Sequence, residues 1–295
     1  MSKDHIQFIL HLADNALILG HRNSEWTGHG PILEQDIAIS NIALDLVGQA
    51  RNLYQHAAAL IDKAPAEWTQ TLFHEGTLSA IITDTSAASI TATSAAPNIA
   101  AVPTGTAVPG TRQSPITEDH LAYLRDSWDY LNCLLVEQPN GDWAQTTLRQ
   151  FLFSNYQYLA YLQLAGSEDS QLAAIAQKSL KEVTYHLRWS SEWVIRLGDG
   201  TEESHRRLEN ALRTRWKFTG ELFIPAPYET EIDQKAIHQM WLGNIQTVFT
   251  QATISVPAES PAPLLGGKEG RHTEHLGYIL AEMQFLQRAY PGCEW

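Results

Sequence analysis

A glutamate followed three residues later by a histidine puts both side chains on one helix face, where they can share a metal ion. Two such pairs occur in these 295 residues, Glu202–His205 and Glu269–His272. A pair of irons in a helical bundle needs two of these pairs in mid-helix, plus one carboxylate from each of two further helices. Glu202–His205 follows directly on Gly198-Asp199-Gly200 and opens a segment rich in Glu and Arg, so it reads as a solvated helix start. Glu269–His272 lies in Gly266-Gly267-Lys268-Glu269-Gly270-Arg271 and reads as loop.

The polar residues in mid-helix are mismatched for such a site. Asn41, Asp45, Gly48 and Asn52 recur at helical spacing among Ile42, Leu44, Leu46 and Val47. Asp45 has glycine at i+3, which offers no ligand. Glu182 has Tyr185 at i+3 and His186 at i+4. Two carboxylates and one displaced imidazole fall short of a six-ligand shell. The expectation is a buried polar network that sets helix register. A single-metal site at Asp45, Glu182 and His186 and a role at an interface are the alternatives. No catalytic, cofactor-binding or metal-ligating residue is assigned to the chain.

Other catalytic templates are missing. There is no Gly-x-Ser-x-Gly, no Gly-x-Gly-x-x-Gly and no phosphate-binding P-loop. Gly266 to Thr273 precedes a helix and could cradle a phosphate on its amides and cations, although such short Gly/Lys segments are ordinarily turns. The 12 histidines read as scattered over helix ends and mixed faces. Among the 9 tryptophans, Trp189 and Trp193, with Arg196, are candidate partner anchors. Cys133 and Cys293 form no disulfide framework.

Long helices must position these groups. Apolar spacing predicts helices over Ile6 to Leu17, Glu34 to Leu60, Asp119 to Val136, Asp142 to near Gly166, Ser170 to Leu197, Glu202 to Leu222, Asp233 to Ala252 and Thr273 to Pro291. Asp142 is placed to cap the fourth, with Gln145 reaching back as in a capping box. No run of about 4–8 residues combines clear period-two alternation with β-branched enrichment, so the fold class is all-α, a bundle with long helices at its centre. One domain spans 1–295. Within it, residues 76–117 are dominated by Ala, Thr, Ser and Pro, with Pro97, Pro103, Pro109 and Pro115 evenly spaced. They read as a flexible insertion.

The formal net charge of −13 argues against a nucleic-acid partner and against an anionic membrane surface. Polar interruptions of the first apolar segment leave no signal peptide, and no stretch suits a membrane span, so a cytoplasmic location is expected.

Four long blocks carry a family resemblance. They are LADNALILGHRNSEWTGHGPILEQDIAISNIALDLVGQARNLYQHAA, LLVEQPNGDWAQTTLRQ, KEVTYHLRWSSEWVIRLGDGT and GGKEGRHTEHLGYILAEMQFLQRAYPG. In this order they resemble the PaaC family, the non-catalytic subunits of bacterial phenylacetyl-CoA epoxidase. The likeness covers most of 1–73 and 118–295 and leaves 76–117 as an insertion. It implies a ferritin-like fold and a complex with a homologous catalytic di-iron subunit, PaaA. It also implies a reductase carrying NADPH, FAD and iron–sulfur chemistry, and O2-dependent epoxidation of the aromatic ring of phenylacetyl-CoA in phenylacetate catabolism. Subunits of this type lack the iron ligands, so the resemblance transfers none and leaves this chain without a cofactor of its own. A free-standing ferritin-like di-iron oxidase or iron-binding protein is the competing expectation.

Overall fold

The computed structural model describes residues 2–83, 115–257, 263–291 and 293. Among these residues there are twelve α-helices and no strand. The helices are α1 (Lys3–Ser24), α2 (Leu33–Lys63), α3 (Ala66–Leu72), α4 (Glu75–Thr83), α5 (Glu118–Tyr123), α6 (Leu134–Glu137), α7 (Trp143–Leu164), α8 (Ser170–Gly198), α9 (Glu202–Arg215), α10 (Gln234–Gln251), α11 (Glu274–Met283) and α12 (Phe285–Ala289).

Two long hairpins form the frame. α1 packs along α2 and α7 along α8, while α2 and α8 meet across the bundle. α9 and α10 buttress the second hairpin. This is the four-helix frame of a ferritin-like fold. α1 is enclosed on all sides from Phe8 to Gly20, and α7 from Thr146 to Gln157. A helix buried all round cannot turn its polar residues to water, so each needs an internal partner.

Asp14, in the buried stretch of α1, shows how that need is met. Its carboxylate pairs with the fully buried Arg125 and accepts from the Tyr54 hydroxyl and the Leu131 amide. This pair also explains why the helix expected from Asp119 to Val136 is broken. Arg125 turns its guanidinium back onto the carbonyls of Leu121 and Asp129. With the guanidinium anchored on Asp14, the chain turns at this point and runs as α5, a 3-10 turn at Ser127–Asp129, and the single turn α6.

Three arginines hold the segment after α6. Arg22 donates to the Glu137 carbonyl, Arg149 to that of Gln138 and Arg215 to that of Pro139. Cationic donors thus satisfy the carbonyls a helix end leaves open. Asp142 caps α7 through the Gln145 amide at 3.0 Å. The expected capping box does not close, because the Gln145 side chain accepts from Arg215 at 2.8 Å instead.

The segment 76–117 differs in part from the loop expected there. Its first residues form α4, with Ile81 buried. Its last residues lead into α5, with Ile116 buried and its amide donated to Asp62. The four spaced prolines, apart from Pro115, lie outside the described residues.

Candidate functional site: the α2–α8 face and the polar seam beneath it

The mid-helix carboxylates meet between α2, α7 and α8. His186, fully buried on α8, points Nε2 at Asp45 of α2, 3.0 Å from Oδ2. Glu182, one turn earlier, accepts from Gln49 Nε2 at 2.9 Å. The Gln49 carbonyl oxygen in turn accepts from Gln157 of α7 at 3.1 Å, and Gln157 also reaches the Tyr161 hydroxyl at 3.3 Å. The result is a polar seam of one carboxylate–imidazole pair and one carboxylate–amide chain.

That seam corrects the sequence reading of the α2 stripe in one respect. Asn41 and Gly48 lie on the exposed side of α2, and Asp45 is about a third exposed. The interior polar residue is Gln49, one position past Gly48. Gln49 and Gln157 were not singled out from sequence, because an isolated glutamine in a helix carries no spacing signal. A Cβ at Gly48 would meet nothing within 4 Å, so its face of α2 is open.

The donor set does not fit a di-iron centre. Among the described residues His186 Nδ1 has no hydrogen-bond partner, but the seam offers only this one imidazole and two carboxylates, Asp45 on His186 and Glu182 on the Gln49 amide, short of a six-ligand shell. Neither Glu-x-x-His pair replaces it. His205 caps the carbonyl of Gly198 at 2.7 Å while Glu202 stands exposed in the first turn of α9. Glu269 pairs with Arg271 at the surface, whereas His272 is buried against Glu137 and the Tyr130 carbonyl, at 2.8 and 2.9 Å.

The Gly266–Thr273 loop is not an open phosphate cradle. The amides of Gly266 and Gly267 both donate to Glu221 Oε1 at 2.8 Å, and the Leu134 amide to its Oε2 at 2.6 Å. Lys268 is buried against Glu229 and two carbonyls. The chain's own carboxylates occupy the anion positions. The glycines are required there: Gly266 has φ 142°, and a Cβ on Gly267 would lie 2.3 Å from the Asn132 carbonyl oxygen.

The proposed anchors are also relocated. Trp189 is buried, and the indole N–H groups of Trp189 and Trp193 share the Gln35 side-chain oxygen at 2.9 and 2.7 Å. Both rings pack edge-on against Trp143. Only Arg196 remains exposed, over the Trp193 ring. Large apolar side chains instead stand out from α2. Leu33 is 70% exposed and Leu44 69%, with Ile37 and Val47 on the same face and Tyr185 of α8 also exposed. The spacing 33, 37, 44, 47 is that of one helix stripe, interrupted by Ser40 and Asn41, and exposed apolar side chains gathered on one face mark an interaction surface.

These features define a ferritin-like bundle whose central polar positions pair with one another and whose α2 ridge is exposed among the described residues. The chain belongs to the phenylacetic acid catabolic protein family of PaaA and PaaC, whose model matches residues 1–84 and 107–295. It is 37% identical, over 98% of each chain, to the C subunit of 1,2-phenylacetyl-CoA epoxidase from Escherichia coli strain K12. The family match leaves 85–106 uncovered, within the segment read as an insertion. No helix among the described residues is long and apolar enough to cross a membrane.

Proposed function

We propose that this chain is a structural subunit of a multicomponent di-iron monooxygenase that epoxidises the ring of phenylacetyl-CoA in phenylacetate catabolism. The oxygen chemistry belongs to a homologous PaaA-like subunit, which holds the irons. Electrons reach it from a reductase using NADPH, FAD and an iron–sulfur centre. This chain supplies a rigid helical face against which the catalytic subunit packs, in the cytoplasm.

The seam supports this reading most directly. In mid-helix Asp45 is paired with His186, and Glu182 is tied through Gln49 to Gln157, so these polar groups are engaged with one another. Such a network rigidifies the bundle and fixes the register of α2 against α8. The exposed Leu33–Val47 ridge offers apolar area for burial against a partner at roughly 25 cal/mol per Å².

Reconstitution tests the reading. The purified chain with reductase, NADPH and O2 is expected to leave phenylacetyl-CoA unchanged, and addition of the catalytic homologue is expected to restore epoxidation. Turnover by this chain with reductase alone would contradict it.

A further inference from the structure

Three side chains from distant parts of the sequence converge at one end of the bundle. His5 lies in the first turn of α1, His56 near the end of α2, and Asp169 is the N-cap residue of α8. The Nε2 atoms of His5 and His56 approach the same oxygen, Asp169 Oδ2, at 2.8 and 2.6 Å. Possible ligand atoms of all three residues lie within 4.8 Å of one another, the one such grouping of three among the described residues. The two oxygens of Asp169 divide their work. Oδ1 accepts the Gln171 and Leu172 amides at 2.9 and 3.1 Å, so capping leaves Oδ2 for the imidazoles.

A second carboxylate completes the pattern. Glu231 faces His5 Nδ1, the nitrogen turned away from Asp169. A metal-bound histidine characteristically donates its other N–H to a carboxylate, which sets the tautomer and raises ligand basicity. Glu231 Oε2 is itself held by Ser167 at 3.3 Å. The cluster borders a cleft of about 730 Å³, also lined by Ser2, Leu60 and Gly166, which leaves room for water beside the ion.

We propose that His5, His56 and Asp169 form a zinc-type divalent metal site, with Glu231 orienting His5. Two imidazoles and a carboxylate are an established donor set for zinc, which takes a fourth ligand from solvent. A tetrahedral ion with bonds of about 2.0–2.1 Å holds its ligand atoms roughly 3.3 Å apart. The present contacts reach that spacing by opening a little over half an ångström. Zinc exceeds iron(II) in affinity for such nitrogen and oxygen donors. The ion would clamp the start of α1, the late turns of α2 and the start of α8. The site is separate from the central seam: His56 is eleven residues from Asp45 on α2, about 16 Å along the axis.

Calorimetric titration of Zn2+ into the metal-stripped full-length chain at pH 7.5 tests this, with Co2+ as an optical probe of the same ligands. The expected result is one tight Zn2+ equivalent per chain and a Co2+ absorption spectrum of low-coordinate nitrogen and oxygen ligation. His5→Gln and His56→Gln retain an N–H donor toward Asp169, and each is expected to weaken that equivalent at least tenfold. His29→Gln, at an exposed position outside the cluster, is expected to leave it intact. Absence of a tight equivalent in the unmodified chain, or its full retention in the His5→Gln/His56→Gln double variant, would overturn the site.

Discussion

The buried Asp14–Arg125 pair ties α1 to the segment after α5. Both side chains are excluded from solvent, and removing one leaves the other charge uncompensated. Arg125→Met is therefore expected to lower unfolding free energy by about 3–5 kcal/mol in denaturant titrations. Arg125→Met combined with Asp14→Leu is expected to be less destabilised than the sum of the single changes. His272 carries a pH dependence. Burial lowers its pKa, but the hydrogen bond and charge of Glu137, the Tyr130 carbonyl and the more distant Asp14 outweigh burial and leave it above the ordinary 6.5. Both ring nitrogens face acceptors, so the imidazolium fits best. Its contribution is full below about pH 6.5 and declines as pH rises through the elevated folded value. The stability difference between the parent and His272→Gln should accordingly shrink with rising pH, as read by melts between pH 5.5 and 8.5. A difference that grew with pH would refute this assignment.

At the scale of elements, the α2 ridge makes the sharpest prediction. Leu44 is exposed and distant from the core contacts, so Leu44→Glu should change stability by no more than about 0.5 kcal/mol. The same change places a charge in the centre of the proposed interface. Co-purification with the catalytic homologue should fall sharply, with circular dichroism and melting of the isolated chain unchanged. The long helices were legible in sequence because their apolar residues follow helical spacing, and Asp142 was legible as a cap because its side chain acts locally. The break after α5 was not legible, since it depends on Arg125 reaching Asp14 across 111 residues. The burial of Trp189 was hidden for a similar reason. An indole on a half-apolar face looks the same whether a partner or Gln35 and Trp143 covers it. The cluster of His5, His56 and Asp169 has no spacing signal at all, because its members meet only when three helices are assembled.

For the whole molecule, enclosure and function are linked. The two helices buried on every side, α1 and α7, force their polar residues into internal pairs such as Asp14–Arg125, and on the α2–α8 face Asp45 and Glu182 are likewise engaged, by His186 and Gln49. The bundle is thereby suited to stiffness and to presenting a surface. The acidic balance, −13 overall, keeps such a surface soluble and disfavours polyanionic ligands. The central claim is that the bundle interior does not assemble a coupled pair of irons. Mössbauer spectroscopy of the isolated full-length chain, produced in iron-57-replete cells, tests it most directly. The account predicts no diferric signal from the isolated chain and a coupled centre once the catalytic homologue is present. A spin-coupled diferric spectrum from this chain alone would contradict it.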